Sequence, residues 1–451
     1  MFQRCLAILK LAFPVMIAQV GTIVVGFADN IMVGRYTTES LASASFVINI
    51  FNIVVLCLMG FSYGLTPLIG LLFPRERYEE IGRTLKAGVI ANLMVGVLLT
   101  CIMGILYFFL DRLGQPAELL PLIRPYYIIF LASLLPLALF NSFAQWSFAI
   151  KNTTMPMWIL LACNALNILG NYILIYGNWG APELGLTGAG ISTLAARIIA
   201  PIAIILMFFL KPSNARYREG FIGRGMHLTK NLMGKVVRTS WPVALQMACE
   251  TAAFSTCAIF AGWIGTVALA SFQIIVVIGS LGFCIYYSIG TAIAVLVANE
   301  SGKASLNSCR RVAFDGYAVM LIFAAISTCI FIFFSQPLMG AFTDDPEVLI
   351  AAQALVVPLI MYQLGDATQV TFANALRGTS HVMPMLWIAF FSYVVVGLSS
   401  TYILAFPAHL GNYGIVLSFS VSLFMAAILF LRSFMKVTRH HNNMTASAIH
   451  D

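Results

Sequence analysis

Twelve stretches of this chain are too apolar to lie in water, and each is long enough to cross a bilayer. About 20 consecutive apolar residues span the hydrocarbon layer. Candidates fall at 8–33, 41–72, 86–110, 120–146, 155–177, 188–210, 237–263, 268–298, 313–335, 348–375, 383–405 and 412–434. The runs are continuous rather than alternating, which implies helices and excludes a transmembrane β-barrel. Composition agrees, because 60% hydrophobic and 9% charged residues leave too little polar surface to cover a soluble fold.

The basic residues orient these spans. With an even number of crossings both termini share a side, and all Lys and Arg fall on that side except Arg35, Arg112, Arg124 and Arg197. Positive charge gathers on the cytoplasmic face, so both termini are expected in the cytoplasm and the chain in the inner (cytoplasmic) membrane, multi-pass. The net charge of +8 is then a topology signal, not a nucleic-acid footprint, since it is scattered through short loops. The first apolar run is too long for a cleavable signal peptide. The nine cysteines show no CxxC pairing, and the chain carries no P-loop, HExxH or GxSxG motif. An enzyme is not expected, nor a cofactor.

The chain is also two copies of one half. "FPVMIAQVGTIVVGFADNIMVGRYTTESLASAS" (13–45) falls without a gap on "WPVALQMACETAAFSTCAIFAGWIGTVALASFQ" (241–273) after a slide of 228 residues. Pro14 meets Pro242, Gly34 meets Gly262, and Leu41-Ala42-Ser43 meets Leu269-Ala270-Ser271. Shared prolines, glycines and loop residues at one offset mark an internal repeat. Each half holds six spans, so both enter the membrane from one side. The expected architecture is an all-α integral membrane protein, two pseudo-symmetric six-helix lobes around a central cavity. The expected boundaries are an N-terminal lobe at 1–210, a basic cytoplasmic linker at 211–235, and a C-terminal lobe at 236–451 ending in a short cytoplasmic tail. Pro14 and Pro242 are candidate hinges, because proline removes a helical hydrogen bond and crowds the preceding turn.

Three acids lie well inside spans: Asp29, Glu250 and Asp366. Each costs about 2.5–3.5 kcal/mol at the bilayer centre unless solvated, neutralised or paired. Arg197 is the one basic residue near the middle of a span, a single charge against three acids, so the acids are expected to face wet space and bind something cationic. Tyr362 precedes Asp366 by one helical turn on the same face. Glu250, Tyr362 and Asp366 together offer the oxygens a sodium ion uses, although carboxylates also bind protons. In the first half, Asn164, Asn167 and Asn171 share one face, and Asn141 with Gln145 lies on the preceding span. Helix–helix hydrogen bonding is one use for such residues; facing Asp29 is the other.

With these residues in view, the chain resembles the multidrug and toxic compound extrusion (MATE) transporters, above all their NorM-like bacterial branch. The resemblance covers the whole chain and is carried by "FADNIMVGR", "LNILGNYILIYGNWGAPELGLTGAGIST", "WPVALQMACE" and "QLGDATQVTFANALRG". It implies two lobes forming a V and export of organic cations and drugs against entering sodium or protons by alternating access. It implies that Asp29 belongs to a first-lobe cavity, with Asn141, Asn167 and Asn171 beside it, and that Glu250, Tyr362 and Asp366 form a second-lobe cation site. "ADN" stands where many relatives read "VDT", which keeps the acid and changes its neighbours. The expected partners are small organic cations and the lipid bilayer, no nucleic acid, with the chain acting as a monomer. A lipid-linked oligosaccharide flippase is a rival reading, but it calls for cations lining the cavity, and only Arg197 is on offer. A membrane-embedded enzyme or receptor is the other, and no nucleophile or metal constellation supports it.

Overall fold

Among the described residues eleven helices are long and apolar enough to cross a membrane, and a twelfth crossing is a pair, Pro346–Ala354 and Val356–Gly378, bent by 46°. The computed structural model describes residues 1–113, 116–223, 226–343 and 345–447. In chain order the spans are 1 (Phe2–Tyr36), 2 (Thr38–Arg75), 3 (Tyr78–Tyr107), 4 (Ala117–Ala149), 5 (Thr154–Tyr176), 6 (Gly185–Leu210), 7 (Asn231–Ile264), 8 (Thr266–Gly302), 9 (Leu306–Gly340), 10 (the bent pair), 11 (Met383–Ala405) and 12 (Gly411–Arg439). No strand occurs among the described residues. Two features inside spans escape hydropathy: the bend in span 10, and a π-helical stretch at Phe390–Gly397 in span 11.

Local chemistry sets the joints. Thr37 alone separates spans 1 and 2, and its hydroxyl accepts from the Ser40 N–H at 3.1 Å. That caps one of the free donors at a helix start. The equivalent joint, 228 residues later, is Gly265 between spans 7 and 8, with φ at 152°. A side chain would oppose that φ, so glycine stands where its repeat partner has threonine. Span 10 begins with Asp345 accepting from the Glu347 N–H at 2.9 Å, followed by Pro346, which has no N–H to leave unpaired.

The contacts within the chain gather into two units. The first is Ile17–Ala244; the second joins Met1–Met16 to Leu245–Asp451. Both divisions fall two residues after a repeat proline, Pro14 or Pro242, inside a helix that runs on through it. The start of span 1 therefore belongs with the second half of the sequence. Ile8 and Ala12 are fully buried there, and Arg4 pairs with Asp315 of span 9. In the first unit the matching residues of span 7, Val236 and Ser240, are fully buried too. Helix contacts repeat as well. A Cβ on Gly88 of span 3 would strike Leu65, and one on Gly316 of span 9 would strike Ile293, the same pair 228 residues on.

Part of the predicted linker 211–235 packs onto the first unit; its residues Arg224 and Gly225 lie outside the described residues. A helix at Ala215–Ile222 packs Tyr217 against Trp146 and Tyr78, at 5.6 Å in both cases between ring centroids. The Arg216 guanidinium sits 4.1 Å over the Tyr78 ring. Gly220 meets the backbone of Glu79, and Gly82 meets the backbone of Tyr217, so neither position has room for a side chain. Gly220→Val is expected to cost about 1–3 kcal/mol through this overpacking, whereas Gly340→Val, where nothing lies within 4 Å, should cost little. Thermal unfolding of both variants in detergent, followed by circular dichroism, checks the difference.

Candidate functional site: two polar centres

The first unit holds Asp29. Spans 1 and 5 approach closely, with Gly21 facing Leu161 and Asn164, and two turns further along Asn171 donates from Nδ2 to Asp29 Oδ1. With its nitrogen turned to the carboxylate, Asn167 donates to the same oxygen at 3.0 Å, and its own oxygen accepts from Thr193 Oγ1 at 3.1 Å. Asn167 and Asn171 follow each other by one helical turn, so both reach one carboxylate. Asn141 stays apart from this network: it is buried on span 4 and its Nδ2 has no hydrogen-bond partner. On the same helix Gln145 accepts from Thr66 at 2.6 Å.

Arg197 joins the centre. It donates from Nη1 to Ser133 Oγ at 2.7 Å and lies 5.1 Å over the Phe130 ring. Ser133 is the residue at which span 4 breaks into two helices. From there the guanidinium is within electrostatic reach of Asp29 and Tyr126, without forming an ion pair at 4.0 Å or less. The sequence signal was present, since Arg197 stands near the middle of an apolar run, but nothing in the spacing of spans 1 and 6 tells that these two charges share a depth.

The second unit holds Glu250, Tyr362 and Asp366. Glu250 on span 7 accepts from Gln246 Nε2 at 3.2 Å. Beside it lies a narrow pocket, lined among others by Phe254, Tyr393, Thr401, Phe419 and Ser422. Tyr362 packs its ring edge-on to Phe254 and Phe419, at 6.2 and 6.1 Å. Asp366 is 2% exposed, and its Oδ2 is buried with no hydrogen-bond partner. It lies within electrostatic reach of Glu250, and both carboxyls reach Tyr362. Its depth follows from the preceding Gly365, which lets span 10 close onto Leu423 of span 12. Among the described residues no three His, Cys, Asp or Glu side chains cluster as metal ligands. A cation here would have two carboxylates and otherwise neutral oxygens, a donor set that suits a hard monovalent ion better than a transition metal. Pro14 and Pro242, the candidate hinges, are buried inside unbroken helices.

A family model described as MatE matches the chain twice, over residues 14–173 and 242–403, beginning at Pro14 and again at Pro242. The chain belongs to the MatE family. It is similar to the probable multidrug resistance protein NorM of Mannheimia succiniciproducens, 28% identical over 96% of this chain and 94% of the relative. The NorM protein of Bacillus subtilis is 26% identical over 91% of each. Among solved structures, an outward-facing multidrug resistance MATE transporter of the MOP superfamily matches with a TM-score of 0.88 at 18% identity, covering 98% of this chain and 97% of that one. A MOP superfamily transporter from Pyrococcus furiosus, described as having a binding pocket of reversed polarity, matches at 0.85 and 18%, covering 96% of each. These likenesses give the MATE fold, and the family makes the protein a multi-pass membrane transporter rather than an enzyme.

The Asp29–Asn171 bond in this MATE chain carries an energetic expectation. A hydrogen bond to a charged partner contributes about 1.5–3 kcal/mol. Asn171→Ala should therefore destabilise the protein by about that much, and most of the loss should vanish when Asp29→Ala is already present. Unfolding of the two single variants and the double variant in detergent measures the coupling.

Proposed function

We propose that this chain is a secondary active antiporter that exports organic cations and drugs in exchange for sodium. Glu250, Tyr362 and Asp366 hold the ion, and Asp29 with Asn167 and Asn171 serves the substrate. The observation that carries the reading is the buried, unpartnered Oδ2 of Asp366 within electrostatic reach of Glu250. Two carboxyls this deep in an apolar protein are tolerated when a cation is shared between them. The relatives named as multidrug resistance proteins support the class of cargo. A flippase for pyrophosphate lipids fits poorly. It needs several buried cations, and the second centre has two carboxyls while the first sets one guanidinium against one carboxylate.

Transport requires the two states of the protein to favour different ligands. Ion in one lobe and substrate in the other do so if each prefers a different arrangement of the lobes, taken as 1–210 and 236–451 with 211–235 between them. Pro14 and Pro242 supply the bend. The protein acts as a monomer in the inner membrane with both termini in the cytoplasm.

In proteoliposomes a sodium gradient at fixed pH is expected to drive drug efflux, and efflux driven only by a pH gradient would replace sodium by protons. Glu250→Gln and Asp366→Asn should abolish ion-driven efflux while equilibrium drug binding persists. Asp29→Asn should weaken binding of cationic substrates more than neutral ones, and wild-type efflux in that variant would remove the role given to Asp29. Pro14→Ala and Pro242→Ala should slow transport with little change in unfolding temperature, and full rates in both would end the hinge assignment.

A further inference from the structure

Opposite charges inside a bilayer should close on each other, because hydrocarbon screens them so little. In the first unit Asp29 and Arg197 stand within electrostatic reach of each other and do not pair. Neutral groups hold each of them instead. Asn171 and Asn167 both donate to Asp29 Oδ1, and no side chain among the described residues donates to Oδ2. The Arg197 guanidinium is held by one nitrogen, Nη1, on Ser133 Oγ and by the face of the Phe130 ring. Its Nε and Nη2 make no hydrogen bond among the described residues. Those two nitrogens form the edge with which a guanidinium takes a carboxylate through two parallel bonds.

The two charges belong to one centre. Thr193, one turn before Arg197 on span 6, bonds the Asn167 amide that serves Asp29. Asp29 and Arg197 are both partly exposed. Nothing lies within 4 Å of the place a Cβ would take on Gly26, one turn before Asp29, so there is room beside the carboxylate. A simple cation placed there is attracted by Asp29 and repelled by Arg197, and a simple anion meets the reverse. A molecule carrying both charges satisfies the carboxylate and the free guanidinium edge together.

We propose that the first centre binds dipolar organic molecules, Asp29 taking the positive group and Arg197 the carboxylate. The inference rests on the reading of this centre as the substrate site, and adds to it a residue that selects cargo by its negative group. No bond is made or broken. The ligand closes a circuit of charge that the protein holds open with neutral partners.

Rhodamine B, a dye cation that carries a carboxylate, tests it beside its ethyl ester, the same cation without one. Fluorescence polarisation with the purified protein in detergent gives both affinities. Wild type is expected to bind rhodamine B at least as tightly as the ester. In Arg197→Gln the affinity for rhodamine B should fall about tenfold, while the ester, freed of a repelling charge, should bind as well as before or better. An arginine that only props span 4 at Ser133 would move both dyes together. Parallel losses of the two dyes in folded Arg197→Gln, or no change in either, overturn the proposal. So does a wild type that prefers the ester about tenfold, a result that needs no variant to fold. Asp29→Asn should weaken both dyes. If it binds both as wild type does, the substrate reading of this centre falls. If it loses both while Arg197→Gln fails the test, only the role of the guanidinium falls.

Discussion

Hydrocarbon solvates nothing polar, and the rest of this structure depends on that. Twelve helices arise because only a helix satisfies every backbone N–H and C=O within its own span. Joints shrink to a single residue at Thr37 and Gly265 because each added residue would bring backbone groups needing partners. Polar side chains inside the spans are driven together for the same reason. Asp29 collects Asn171, Asn167 and, at longer range, Arg197. Gln246 turns to Glu250. Pairing is left incomplete at Asp366 Oδ2, and in the first unit at Asn141 Nδ2 and Asn171 Oδ1.

The two centres use their polar groups differently, and the difference begins in the repeat. Span 5 keeps α geometry and sends asparagines, which both donate and accept, toward a single carboxylate. Span 11 has a π turn, and sends a phenol toward two carboxyls. Amide nitrogens can complete a carboxylate by themselves. One inherited half thus brings amide donors to a single carboxylate in one copy and a phenol beside two carboxyls in the other.

Much of the fold was legible because apolar length, positive-charge placement and repeat offset are properties of contiguous sequence. The spans, the pseudo-symmetry and the three intramembrane acids could be read directly. The pairing of Asn167 and Asn171 with one carboxylate follows from helical spacing, once span 5 is known to face span 1. Asn141 could not be sorted from them by spacing, since its helix faces elsewhere. Arg197 meeting Asp29 depends on how deep spans 1 and 6 sit, which hydropathy leaves free. Tyr393 hid in "FFSYVVVG", an ordinary apolar run, because helix register inside a span leaves no trace in composition. The bend of span 10 at Leu355 has no proline at its vertex to announce it; Pro358 comes a turn later.

The division of the chain two residues past each proline has a consequence for its ancestry. Neither half of the sequence fills its own core: residues 1–16 pack with the second half, and the start of span 7 packs with the first. A six-span chain existing before duplication would have carried a terminal segment with no home and an empty slot of matching shape. Two such chains would cure each other by trading segments, as swapped dimers do. Fusion of two genes would then have captured a partnership already made, tying together in one polypeptide an exchange that two separate ones had invented.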